Sequence, residues 1–448
     1  MKKAIIYILL CLLVLSSCHA DVPPPAQQTD TTPDTAPITA PPITTVPQEP
    51  APESNSRLFE YIISKWKQNE TAVLYEYASS QLASLMDEAD FAYLFDSVSL
   101  IGGSLNKVSD KSTRVSDGIT IYSALLDFDN VTAELTIGLK DVQICSFVRN
   151  VHFKDTFELE RGDGIVEKYF VLENDGYKLN AVYTYANDAK VHPAVLLIPG
   201  SGPADYNSTI GLLAPFEDMA LGLARCGINS LRVDKRTLNY SSETGAQIGI
   251  EQEYLSDCTA AINFLKKQNI SELYLLGHSM GGQIATELAA NNADIDGLIL
   301  FNSSPRHLAD IACDQYSVID PANKNSYRAY ADAAKSVTEN TIKGYYYYSS
   351  SDTYWASYNN LNTAQSISAA GISTLIINST YDRQLFDDDI RLWKELAASK
   401  PNVTLSMFDD ISHFGYIIDT ADPSVIYRRV EFPEKIIKEF SDFINGTR

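Results

Sequence analysis

The chain has 448 residues, 45% of them apolar, with a formal net charge of −22 and a pI near 4.6. That length suits two domains and a tail, and that apolar share suits packed cores. The acidity excludes nucleic acid as a partner, since a phosphate binder needs a basic surface, and disfavours electrostatic attachment to anionic lipid.

In chain order, Lys2 and Lys3 precede an apolar run over 4–15, so residues 1–17 read as a secretory signal too short to span a bilayer. Leu15-Ser16-Ser17-Cys18 resembles a bacterial lipobox, which implies cleavage before Cys18 and lipid on its thiol. Residues 18–54 are dominated by Pro, Thr and Ala, hold too few large apolar side chains for a core, and read as a disordered tether. The expected location is therefore outside the cell interior, anchored to a bacterial membrane through the N-terminal lipid only. Cys145, Cys226, Cys258 and Cys313 are widely spaced with no C-x-x-C; Cys226 and Cys258 fall in apolar helical patterns and are expected as buried thiols.

Residues 55–153 read as a small α+β accessory domain. Leu58, Tyr61, Ile62, Lys65 and Trp66 follow helical spacing, and Val73, Leu74, Tyr77, Ala78, Leu82, Leu85 and Met86 continue it in a second helix. After Gly102-Gly103, strand-like alternation occupies 117–128 and 131–139 around Asp127-Phe128-Asp129-Asn130. This part resembles a small domain found in front of secreted bacterial hydrolases, cone-shaped and similar to nuclear transport factor 2. It carries no catalytic constellation; packing or dimerisation is its expected role, and a ligand pocket in the cone is the other reading.

Residues 158–448 alternate strands and helices, the pattern of a parallel sheet covered on both faces, with its site at the strand carboxyl ends. Segments 165–173 and 177–185 form a hairpin around Asn174-Asp175-Gly176. Residues 303–370 are too long for a βα connection and read as an inserted cap with many aromatic residues. One reading of these rings is a lid over the pocket, with Tyr354 and Trp355 binding substrate; the other is packing of the insertion onto the sheet.

The most informative stretch is LYLLGHSMGGQIATELAA, 273–290. A short apolar strand runs into Gly277-His278-Ser279-Met280-Gly281, which fits G-x-S-x-G, and a helix with Ile284 and Leu288 one turn apart follows. This is the context of a nucleophile elbow rather than a glycine-rich turn with a chance serine. A serine hydroxyl needs a base, and the base needs an anion to orient it. Among the six histidines, only His413 lies in a loop after a late strand. Asp382 ends the strand before that one, whereas Asp387, Asp388 and Asp389 open a helix and suit its N-terminal dipole. Ser279, Asp382 and His413 are thus the candidate catalytic residues. The oxyanion hole is expected from the N–H of Met280 and, in Pro199-Gly200-Ser201-Gly202-Pro203, from that of Ser201.

With LLIPGSGPAD, FEDMALGLARCGINSLRVDKR, LLGHSMGGQIA, the Tyr354-Trp355 pair, LIINSTYD and ISHFGY, residues 190–445 resemble the α/β-hydrolase superfamily, close to secreted bacterial esterases. The resemblance implies an α/β-hydrolase fold with a cap insertion and a carboxylesterase acting on short acyl or aryl esters of small molecules. The sequence departs from those relatives at Thr237-Leu238-Asn239 and Ser379-Thr380, where glycine is usual. No metal or cofactor is expected, and the oligomeric state is left open. A peptidase, acyltransferase or thioesterase on the same scaffold and a non-catalytic surface-binding lipoprotein remain as alternatives.

Overall fold

The computed structural model describes residues 50–240 and 248–447. The signal, Cys18 and most of the tether lie outside the described residues. The first unit opens with α1 (Asn55–Lys67), whose buried Leu58, Ile62 and Trp66 share one face. Where the sequence pattern suggested one further helix from Val73 to Met86 there are two short pieces, a 3₁₀ turn (Thr71–Tyr77) and α2 (Ser80–Leu85), and a longer helix that the pattern did not single out, α3 (Glu88–Gly102), follows. Local capping makes the breaks. Ser79 Oγ accepts from the Leu82 N–H (3.4 Å) and Asp87 Oδ1 from that of Asp90 (2.9 Å), and each bond starts a helix anew. Strands β1 (Leu105–Ser116), β2 (Ile119–Phe128), β3 (Val131–Lys140) and β4 (Gln143–Phe153) then form an antiparallel sheet in chain order. Its inner face packs with the helices around Trp66, Phe91, Phe95 and Phe128.

The second unit is a sheet of nine strands. They are β5 (Phe157–Glu160), β6 (Ile165–Asn174), β7 (Tyr177–Ala186), β8 (His192–Ile198), β9 (Asn229–Val233), β10 (Ile270–His278), β11 (Gly297–Phe301), β14 (Ser373–Ser379) and β15 (Val403–Phe408). The order across the sheet is β15-β14-β11-β10-β8-β9-β7-β6-β5. The expected parallel sheet is confined to the side from β9 to β15. On the other side β5, β6 and β7 pair antiparallel, and β7 meets β9 antiparallel. The reason is the tight reversal between β6 and β7, where Asp175 (φ 51°) and Gly176 (φ 83°) both take left-handed backbone, as a two-residue hairpin turn requires.

Helices cover both faces. α4 (Pro215–Arg225) packs on one face; after the short α5 (Arg236–Asn239), α6 (Ser256–Leu265) and α7 (Met280–Ala290) pack on the other. Between β11 and β14 lie α8 (Leu308–Ile319), α9 (Lys324–Lys335), the two-residue strands β12 (Tyr346–Tyr347) and β13 (Ser350–Ser351), α10 (Asp352–Tyr358) and α11 (Thr363–Ala370). α12 (Asp387–Ser399) precedes β15, and α13 (Glu434–Ile444) closes the chain beside α4. Cys226, expected to be buried, is exposed because it sits just past the end of α4.

The two units share one core. Tyr169 of β6, Val182 of β7 and Tyr206 pack into the same apolar cluster as Leu58, Trp66 and Phe95. Asn180 ties the strands across the boundary: its amide donates to Val151 O (2.7 Å) and its oxygen accepts from the Phe153 N–H (2.9 Å). Asn150 donates to Asn239 Oδ1 at 2.6 Å, so the short helix after β9 also docks the first unit.

Candidate active site

Chain connectivity puts a crevice at the carboxyl end of β8. From β8 the chain steps to β9 on one side and then to β10 on the other, and in open α/β sheets ligands bind where the order reverses in this way. The two loops flanking that crevice are the ones the sequence singled out, 199–205 after β8 and 278–280 after β10.

Ser279 joins β10 to α7 with φ 55° and ψ −124°, a strained conformation for a residue with a side chain. The turn is fixed by its N–H donating to Phe301 O (2.9 Å) and by its carbonyl accepting from the Gly282 N–H (3.0 Å). The glycines are steric necessities. A Cβ on Gly277 would lie 2.2 Å from Gly281 O, and one on Gly281 would lie 2.2 Å from Ile198 O.

His413 sits in the loop after β15 and is buried. Its Nδ1 is 2.7 Å from Asp382 Oδ2, and the Asp382 side chain is completely buried. The other Asp382 oxygen accepts from the Gln384 N–H at 2.7 Å. Asp389, the buried member of the alternative acids, is held elsewhere by Arg306 (2.7 Å). The structure therefore brings Asp382 and His413 together. Ser279 and His413 line one cavity, but among the described residues the serine hydroxyl makes no hydrogen bond to the imidazole.

Two residues that position this loop were missed in the sequence. His278 precedes Ser279 in the turn, and no role was expected of it. Its Nε2 donates to His413 O (2.8 Å), and the two rings lie 4.7 Å apart. Asn302, just past β11, donates to both Ser412 O and His413 O at 3.0 Å. Burial pushes the His278 imidazole down to about 3, and the neighbouring His413 ring adds to the shift. The unfolded chain protonates this ring near its ordinary pKa of about 6.5. Between those values the unfolded state binds more protons, so stability falls as pH falls, by on the order of 4 kcal/mol in total. Replacing His278 with Asn should flatten the acid limb of stability against pH in urea unfolding. An unchanged slope would show that His278 is not the group responsible.

The oxyanion candidates sit on either side of Ser279. Met280 is the first residue of α7, and the Ser201 N–H belongs to the loop that lines the cavity; neither N–H has an acceptor among the described residues. That loop crosses close over Ser279, since a Cβ on Gly200 would come 3.1 Å from Ser279 Cβ. A buried cation props it from below. Lys235 Nζ donates to Gly202 O (2.7 Å), Gly200 O (3.2 Å) and Tyr254 OH (2.6 Å), and pairs with Glu253 (2.8 Å). Burial lowers the Lys235 pKa while Glu253 opposes the shift, and the paired ammonium holds the Gly200 and Gly202 carbonyls of that loop.

The cavity holding Ser279 and His413 measures about 450 Å³. Tyr354 and Trp355, the expected substrate-binding pair, do not line it. They are 8% and 1% exposed and belong to the core above α7. Trp355 Nε1 donates to Tyr347 O (3.0 Å), and Tyr354 OH meets Met280 Sδ at 3.5 Å, behind the elbow. Tyr354 and Trp355 are thus packing residues, and the apolar lining of the cavity comes from elsewhere in the chain.

Residues 212–357 match the family described as serine aminopeptidase, S33. Esterase EstD of Thermotoga maritima is 28% identical over 224 residues, a match that covers 49% of this chain and 54% of that protein. The chain thus spans about half the length of that curated relative. Among solved structures, Est1E from Butyrivibrio proteoclasticus is similar at 15% identity and TM-score 0.43, covering 62% of this chain and 99% of its own. Proline iminopeptidase of Mycobacterium smegmatis is similar at 13% identity and TM-score 0.42, covering 62% and 98%.

Proposed function

We propose that this chain, which belongs to the α/β-hydrolase superfamily, is a serine hydrolase that cleaves carboxylic esters through an acyl-enzyme. The observation that carries the reading is the 2.7 Å bond between Asp382 and His413, set in the cavity that also receives the strained Ser279. Asp382 holds the proton on Nδ1, which leaves Nε2 free to act as a base. A bound ester draws Ser279 Oγ and His413 into hydrogen-bond reach, a contact that commonly tightens only when substrate is present. As Oγ bonds to the carbonyl carbon, its proton passes to His413, and the developing oxyanion meets the N–H groups of Met280 and Ser201. The imidazolium returns that proton to the departing alcohol. Water then gives a proton to His413 and attacks the acyl carbon; the bond to Ser279 Oγ breaks, His413 returns the proton to that oxygen, and the acid leaves. A relative named as an esterase supports ester over amide, whereas the aminopeptidase description of the family keeps the peptidase as second reading.

The decisive experiment is labelling of the intact chain with a fluorophosphonate. One label on Ser279, absent from Ser279→Ala, is expected; an unlabelled, folded chain defeats the proposal. Turnover of p-nitrophenyl esters without cleavage of matching anilides separates esterase from peptidase.

We also propose that Cys18 carries a lipid that holds the protein to a bacterial membrane, on the strength of Leu15-Ser16-Ser17-Cys18 and the Pro/Thr-rich segment after it. Metabolic incorporation of labelled palmitate should be lost in Cys18→Ser. Equal incorporation by both chains would disprove it.

A further inference from the structure

We infer that residues 55–153 form one wall of the substrate pocket, and that the pocket takes the apolar acyl chain of an ester longer than acetate. This deepens the ester-hydrolase reading and rests on it. The cavity that contains Ser279, His413 and the Gly200–Gly202 loop is also lined by Leu82, Met86, Leu94 and Phe147. Leu82 belongs to α2, Met86 follows it, Leu94 lies on α3 and Phe147 on β4, so every element is from the first unit. Ile210 and Ile426 face them from the second unit. Leu82, Met86, Leu94, Phe147, Ile210 and Ile426 give a hydrocarbon chain apolar surface on which to leave water, beside polar lining from Arg149, Ser208, Thr209 and Gln384.

The wall is fixed rather than tethered. The core shared through Tyr169, Val182 and Tyr206 holds it, as do the Asn180 bonds to β4 and the Arg429 N–H bond to Asp90 Oδ1 (3.3 Å). Leu82 and Leu94 are only part-buried, with their remaining surface at the cavity, so they can be changed with little damage to the core. Phe147 packs 4.6 Å from Phe95 and is less suitable.

The test uses the full chain and p-nitrophenyl esters from acetate to dodecanoate. In the parent, kcat/KM should rise about threefold to fourfold per added methylene until the slot is full, then fall. Leu94→Trp should move the optimum to shorter chains, and Leu94→Ala should move it to longer ones. Leu82→Trp and Leu82→Ala repeat the test from α2 should a Leu94 variant fail to fold. As an independent readout, alkyl fluorophosphonates of graded length should inactivate these variants with the same shifted preference. An unchanged chain-length profile in folded, active variants overturns the wall and leaves the esterase reading standing. A parent that turns over no ester and takes no fluorophosphonate overturns both.

Discussion

Replacement of Ser279 by Ala should lower kcat for a p-nitrophenyl ester by at least about 10⁴-fold, with residual activity owed to the oxyanion donors and binding alone. The size of the loss follows from the geometry. The hydroxyl is the only part of Ser279 that reaches the cavity chemistry, while the backbone strain that presents it belongs to the turn and survives in alanine. Ser279→Gly should be equally inactive but more stable than Ser279→Ala, because glycine adopts φ 55° without penalty. Strain of this kind is worth on the order of 1–3 kcal/mol, part of it offset by the greater freedom of glycine in the unfolded chain. Steady-state rates and urea midpoints on the three chains check both statements. A Ser279→Ala chain with parental turnover would remove the nucleophile from the mechanism.

The largest effect on stability is expected at Glu167, far from any bond-making. Its carboxylate is completely buried between Arg232, itself 1% exposed, and Arg161, which lies 3.2 Å away. Tyr169 OH (2.6 Å) and Thr184 Oγ1 (3.2 Å) donate to it as well. Burial alone raises a carboxyl pKa; here the two guanidinium groups and these donors outweigh it and hold Glu167 below its ordinary value. Its contribution is therefore present above the unfolded pKa and lost as pH falls through the lower folded value. Glu167→Ala leaves Arg232 buried without its counter-charge and should cost about 3–5 kcal/mol by denaturant unfolding. Glu167→Leu combined with Arg232→Met removes both charges and should recover most of that loss. A Glu167→Ala chain within about 1 kcal/mol of the parent would show that water reaches the arginine.

How much was legible in the sequence differs from place to place for physical reasons. The surroundings of Ser279 were legible because the turn imposes its demands locally: Gly277 and Gly281 are needed within a few residues of the serine, and the strand and helix show their own periodicities. Asp382 and His413 could be singled out by strand order, since the loops after β14 and β15 adjoin one another in the sheet. His278 and Asn302 could not, because what they do is bond a backbone more than a hundred positions away. Aromatic spacing around Tyr354 is the same for a packed layer as for a pocket lining, so the sequence left both open and the structure chose packing. The wall built from Leu82 to Phe147 had no signature at all, being an ordinary apolar surface until it is laid against the crevice.

The core common to both units means that the border near residue 155 divides the polypeptide but not its cooperativity. Cutting there would bare Tyr169, Val182 and Tyr206 on one fragment and their apolar partners on the other, two adhesive faces where one sealed interior had been. Recombination that shuffles such a catalytic scaffold between genes must therefore carry the preceding hundred residues along, or rebuild the face they leave behind.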